Sequence, residues 1–110
     1  MPGKFELKKS SDDQFYFNLK AGNGQVILTS ELYTSKSSAN KGIASVRKNC
    51  SLDTCFHRHT SKAGQPCFVL KARNGETIGA SQMYASSSSC EKGIAAVKAN
   101  GGSERVDDRT

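Results

Sequence analysis

Apolar and polar residues alternate along Phe5-Glu6-Leu7-Lys8 and again along Phe15-Tyr16-Phe17-Asn18-Leu19-Lys20, the period of two expected of half-buried strands. Between the two runs, Ser10-Ser11-Asp12-Asp13 supplies turn chemistry. Ala21-Gly22-Asn23-Gly24 then offers an Asn-Gly pair suited to the positive φ angles of a tight hairpin. Gln25-Val26-Ile27-Leu28-Thr29 completes a three-strand meander whose apolar face needs a cover. The period then changes. Ala39, Ile43, Val46 and Cys50 recur every three or four residues, which predicts an amphipathic helix from about Ser37, its N-cap, to Lys48, ending at a left-handed cap near Asn49.

The same order of signals returns 51 residues later. Aligning residues 20–49 with 71–100 without a gap leaves 16 of 30 positions identical, and the offset also pairs Phe5 with Phe56, Phe17 with Phe68 and Leu19 with Leu70. The chain therefore reads as a tandem duplication, repeat 1 over about 1–51 and repeat 2 over about 52–103. Each half is small enough that burial on folding is marginal, so the two are expected to share one core in a single domain over 1–106. In repeat 2, Pro66 should begin its strand, because it lacks a ladder donor. The helix should run from about Ser88 to Ala99, with Ser88 and Glu91 forming a capping box. Gly42 and Gly93 lie inside the helices, where glycine costs about 0.5–1 kcal/mol relative to alanine, and so point to a close crossing of helix over sheet. Residues 104–110 read as a frayed polar tail.

The run from Asn18 through Asn23-Gly24 to Tyr33, followed by Ser35-Lys36 and Lys41-Gly42-Ile43 before Val46 and Asn49, closely resembles the small bacterial YegP-like family of uncharacterised proteins, in tandem-duplicated form. The resemblance covers almost the whole chain. It implies two β-β-β-α-β units in one sheet with exchanged edge strands, and it adds a short strand after each helix, near Cys50–Phe56 and near Gly101–Val106. Residues around Phe56 would then end one unit and begin the next. The family brings no accepted enzymatic activity. Repeat 2 departs from the motif at Arg73, Gly79, Gln82 and Ser87, so it lacks the counterpart of Lys36.

Composition narrows the function classes. Hydrophobic residues make up 35 % of the chain and aromatics 7 %, without tryptophan, enough for a thin layered fold but not for a large enclosed active site. No apolar run spans a bilayer and no signal segment opens the chain, so a cytoplasmic protein without membrane contact is expected. The formal charge is +6, and both repeats are mildly basic: 8 basic and 4 acidic residues in 1–51, and 6 and 3 in 52–103. Neither a P-loop nor a dinucleotide-binding glycine motif occurs.

Cys50, Cys55, His57 and His59 lie within ten residues, and the last three would share a face of one strand. Repeat 1 carries Lys4, Glu6 and Lys8 at the places of those three, so the fold itself requires no ligand there and no metal or cofactor is expected. The four cysteines read as free thiols and small core fillers.

The sequence thus predicts an α+β fold: one antiparallel sheet built from two β-β-β-α-β repeats, with both helices on one face and a possible exchange of edge strands. A non-enzymatic module is expected, with weak, sequence-independent nucleic-acid or other polyanion binding by Lys4, Lys8, Tyr16, Lys20, Lys71 and Arg73 on the open sheet face and hairpin tips. The alternative is a protein- or peptide-binding module using a sheet edge or the surroundings of Tyr33, Lys36 and Tyr84. Monomer and homodimer are both compatible with the duplication.

Overall fold

A computed structural model describes residues 3–110; Met1 and Pro2, counted in repeat 1, lie outside the described residues. Each repeat folds as its pattern predicts: β1 (Lys4–Lys9), β2 (Phe15–Lys20), β3 (Val26–Ser30) and α1 (Lys36–Asn49), then β4 (Phe56–Thr60), β5 (Pro66–Lys71), β6 (Thr77–Ala80) and α2 (Ser87–Asn100). A short 3-10 turn, Asp53–Cys55, links the repeats, and β7 (Val106–Asp108) follows α2. The strands form one sheet in the order β4-β5-β6-β3-β2-β1-β7. The two meanders meet at its centre, where Thr29 faces Ala80 and Ser30 faces Gly79 across the antiparallel β3–β6 joint. The repeats are thereby related by a pseudo-two-fold axis through that joint.

One face of this sheet is the core. Phe5, Leu7, Phe17, Leu19 and Leu28 from repeat 1, and Phe56, Phe68, Leu70 and Ile78 from repeat 2, are buried there beneath Ala39, Ile43 and Val46 of α1 and Cys90, Ile94 and Val97 of α2. Both helices thus cover the same face. Removing these side chains from water supplies the main drive for folding, at about 25 cal/mol per Å² of apolar surface. Each helix reaches over the joint, α1 onto β6 and α2 onto β3 and β2, so neither repeat closes its core alone.

The glycines inside the helices have the packing reason expected of them. A Cβ on Gly42 would stand 2.5 Å from Tyr33 Oη and 2.9 Å from Phe17 Cε2, and one on Gly93 would collide with Tyr84. Tyr33 stacks on Phe17 with ring centroids 6.4 Å apart, and Tyr84 stacks on Phe68 at 6.3 Å. Both tyrosines therefore wedge between helix and sheet.

Several local expectations are corrected. The sheet is antiparallel except for β1–β7, which pair in parallel, Phe5 with Val106 and Leu7 with Asp108. Residues 104–110 are accordingly not a frayed tail: the Arg105 carbonyl accepts from Phe5 N–H, and Arg109 N–H donates to the Leu7 carbonyl. This is the strand after the helix that the family resemblance implied, and it carries repeat 2 onto the edge of repeat 1. The N-caps are Ser35 and Ser86, whose hydroxyls accept from the amides of Ser38 and Ser89, so the helices begin about a turn-half earlier than Ser37 and Ser88. Glu91 forms no capping box because it lies five residues after the true N-cap, Ser86, where Ser89 holds the third position; it pairs instead with Arg58, 2.6 Å away. The helix ends keep right-handed backbone at Cys50 and Gly101. Asn49 and Asn100 instead donate their side-chain amides to the carbonyls of Ser45 and Ala96. In the Asn-Gly hairpins only the glycines take positive φ, 86° at Gly24 and 91° at Gly75, each beside a register shift in the flanking strand.

Candidate functional site

The face of the sheet away from the helices is crossed by a row of outward positions: Glu6, Asn18, Thr29, Ala80, Val69 and His57, each the register partner of the next. Alternation sets this row, because every second residue of each strand is committed to the core. At the repeat 1 end the row starts on an acid. Glu6 is only 2 % exposed, and its carboxylate lies 3.1 Å from Lys20, 3.5 Å from Lys8 and Arg109, and 3.6 Å from Lys4. A carboxylate withdrawn from water must be paired. Burial alone would push the Glu6 carboxyl up. The hydrogen bond and charge of Lys20, joined by Arg109 and Lys8, outweigh it and hold the group below its usual range.

β1 and β2 position this cluster. Lys4 faces Lys20 and Lys8 faces Tyr16 across the antiparallel pair, and both pairs flank Glu6 on the same face. β7 adds the remaining members: Asp107 lies 3.4 Å from Lys4 and 3.1 Å from Arg109. Four cations thus surround two carboxylates, and the ammonium-bearing side chains remain a quarter to a third exposed above the buried acid. Such a site keeps a surplus of positive charge in a fixed arrangement.

The structure brings together Lys4, Lys8, Tyr16 and Lys20 of the six residues expected to bind polyanions, but Lys71 and Arg73 lie elsewhere. β2 and β5 run in opposite directions three strand positions apart, about 14 Å across the sheet, so Lys20 and Lys71 occupy diagonal corners. There Lys71, Arg73, His57 and Cys55 border a separate shallow cleft. Lys36, a surface candidate in the sequence, is held by Asp108 at 2.5 Å. Tyr33 and Tyr84 are half-buried in the helix–sheet wedge; burial raises both hydroxyls above the usual tyrosine range. The two members of this charge cluster that sequence reasoning missed are Glu6 and Arg109. A single acid amid Lys4, Lys8 and Lys20 was the available signal for the first; the second depends on β7, which has no local signature.

Cys55 does not share a face with His57 and His59. Its side chain is buried in the core, with Sγ 3.8 Å from Asn49 Oδ1, whereas both histidines are exposed. Among the described residues no group of three or more His, Cys, Asp or Glu side chains is placed to hold a metal ion. All four cysteines are free thiols. Burial pushes the Cys50 and Cys90 thiols up, opposite to the shift that activates a nucleophile. Among the described residues no helix is long and apolar enough to cross a membrane.

The family model described as "Domain of unknown function (DUF1508)" matches the chain twice, over residues 10–56 and 61–108. The chain is 60 % identical over 110 residues to the UPF0339 protein YegP of Escherichia coli K12, covering 100 % of both. It is 52 % identical to a UPF0339 protein of Acinetobacter baylyi, covering 100 % of this chain and 99 % of that one. Among solved structures, the solution NMR structure of Escherichia coli YegP, a protein of unknown function, superposes with a TM-score of 0.95 at 60 % identity, covering 100 % of this chain and 95 % of that chain. The NMR structure of a UPF0339 protein from Shewanella oneidensis gives a TM-score of 0.93 at 50 % identity, covering 98 % and 92 %. Two matched repeats, full-length identity and a shared topology together establish that this chain belongs to the UPF0339 family of YegP-like proteins built from tandem DUF1508 units.

Proposed function

We propose that the protein is a non-enzymatic module that binds polyanions, single-stranded nucleic acid foremost, weakly and without sequence preference through the β1–β2 corner of its uncovered sheet face. The observation that carries this reading is the convergence of Lys4, Lys8, Lys20 and Arg109 over buried Glu6. The buried acid fixes the cations side by side, so little side-chain freedom is lost when phosphates approach, while four cations against Glu6 and Asp107 leave the corner electropositive. Tyr16, paired with Lys8, supplies an aromatic face within the same patch.

Contact with so few phosphates predicts a dissociation constant no tighter than about 10⁻⁶ to 10⁻⁴ M at physiological salt, its logarithm rising linearly with that of salt concentration. Titration of single-stranded and duplex oligonucleotides at about 50 and 200 mM salt tests this. Tyr16→Ala should weaken single-strand binding by about 1–3 kcal/mol and leave duplex binding nearly unchanged. Glu6→Gln, which removes the neutralising charge and keeps the shape, should tighten binding at low salt. Absence of binding by folded protein at the lower salt would end this reading and leave the charge as a solubility feature.

A further inference from the structure

The outward cations of repeat 1 fall in two rows with an acidic row between them. Lys20 and Lys4 are register partners across β1–β2, Asn18 and Glu6 are the next outward pair, and Tyr16 and Lys8 the one after. β7 extends each row: Asp107 is in register with Glu6, so Arg105 flanks Lys4 and Arg109 flanks Lys8. Lys4 and Lys20 on one side and Lys8 and Arg109 on the other share the two carboxylates. Arg105 takes no part in this sharing, and among the described residues it forms no ion pair. Five cations thus face two acids, and the surplus lies in the row of Lys20, Lys4 and Arg105. That row opens into a pocket of about 240 Å³, walled by Gly3 and by the hairpin residues Gly22 and Gly24, and no acidic residue borders it.

We propose, on the polyanion reading above, that this pocket receives the terminal phosphomonoester of a nucleic-acid strand, whose first bases then reach Tyr16.

A phosphomonoester carries about −1.5 to −2 charges at pH 7 and three free oxygens, whereas an internal phosphodiester carries a single charge. Three converging cations suit the former, and the fork of Arg105 engages two oxygens at once. The hairpin also closes this end of the sheet. An internal phosphate in the pocket would have to carry its chain on over Gly22 and Gly24, while a terminal one ends against them. From Lys4 to Lys8 is four residues along β1, about 13 Å, a separation that the sugars and bases behind a terminal phosphate span to arrive at Tyr16. The diagonal corner of the sheet is related by the repeat but is not equivalent. Its cleft has Lys71 at the place of Lys20 and Arg73 at the place of Gly22, but Cys55 at the place of Lys4 and Cys67 at the place of Tyr16. His57 stands where Glu6 fixes the repeat 1 cations, and no strand lies beyond β4 to supply a counterpart of Arg105. That cleft lacks both the buried carboxylate that holds its cations in place and the aromatic face.

The test uses the full chain and three oligothymidylates at about 50 mM salt: one with a 5′-phosphate, one with a 3′-phosphate, and one hydroxyl-ended and a nucleotide longer, so that all have the same number of phosphates. At least one phosphorylated strand should bind about fivefold or more tightly than the hydroxyl-ended strand, and the end preferred gives the direction in which the strand lies. In NMR titrations that strand should shift the Gly22 and Arg105 amides beyond the shift caused by the hydroxyl-ended one. Arg105→Gln should bring the ratio of the dissociation constants below about twofold, whereas Arg73→Gln should leave it unaltered; the spectrum of each free variant shows that it is folded. Equal binding of all three strands overturns the proposal and leaves the polyanion reading standing, whereas binding of none overturns both. A preference that survives Arg105→Gln, or that Arg73→Gln removes, overturns it by placing the terminal phosphate elsewhere. Competition by a nucleoside 5′-monophosphate as strong as by the phosphorylated strand would make the pocket a site for free phosphate esters and overturns it as well.

Discussion

A methyl group added at Gly42 would meet Tyr33 Oη and Phe17 Cε2, neither with room to move, because the two rings are stacked on one another. Gly42→Ala gains roughly 1 kcal/mol in helix propensity but incurs overpacking of about 1–3 kcal/mol, so a net loss of stability is expected in urea unfolding. Because the nearest obstacle is a hydroxyl, Tyr33→Phe in the same chain should recover part of that loss. Ile43, 2 % exposed and central to the α1 stripe, should cost about 2–5 kcal/mol on truncation to alanine. A loss below about 0.5 kcal/mol in the same assay would contradict the packing described. Both positions were legible in the sequence, since apolar spacing phases a helix and a glycine inside one demands a reason. Glu6 was not legible in the same way. Alternation marks it as outward-facing, and only three-dimensional crowding by Lys4, Lys8, Lys20 and Arg109 makes an outward position a buried one.

The elements show the same division. Strands β1 to β6 and both helices follow from periods read over a few residues, whereas β7 pairs with a strand about 100 residues away and is too short and too charged to announce itself. Charge also sets its pH response. The hydrogen bond from Lys36 lowers the Asp108 carboxyl to about 2, the hydrogen bond from Arg109 lowers Asp107, and Glu6 is lowered as described. Carboxyls with folded values below their unfolded ones stabilise the native state above the unfolded value, near 4. That contribution is lost as pH falls through the folded values. β7 should therefore loosen as the solution is acidified from about pH 4 towards pH 2, ahead of the helices. Amide exchange followed by NMR should show Phe5 and Arg109, whose N–H groups donate across the β1–β7 pair, losing protection while Ile43 and Ile94 retain it; simultaneous loss would show that β7 is held by its backbone pairing alone.

For the whole molecule, the β3–β6 joint and the two helices that straddle it make the repeats interdependent. Residues 1–51 or 52–110 expressed alone should be unfolded or should associate, because each exposes the central edge and half a core. A monomeric half with a sharply dispersed NMR spectrum would refute this. That interdependence was visible in the sequence as the smallness of each repeat. The exchange of β7 was visible only through likeness to a known family, since local pattern carries no information about which edge a strand will join.

The closure of the sheet by its final strand also orders events during synthesis. Gly3 N–H donates to Asn100 Oδ1 at 2.8 Å, Ser103 Oγ donates to the Gly3 carbonyl at 2.6 Å, and β7 covers β1. The first strand of repeat 1 is thus completed by residues that leave the ribosome only after all of repeat 2. Repeat 1 must wait with its outer edge bare and Glu6 lacking Arg109 while all of repeat 2 is made, and emergence of residues 105–109, not of either repeat, becomes the event that commits it to its fold. Chains stalled before residue 105 should accordingly leave β1 open to protease, and chains extended by a long C-terminal linker should protect it while still attached to the ribosome.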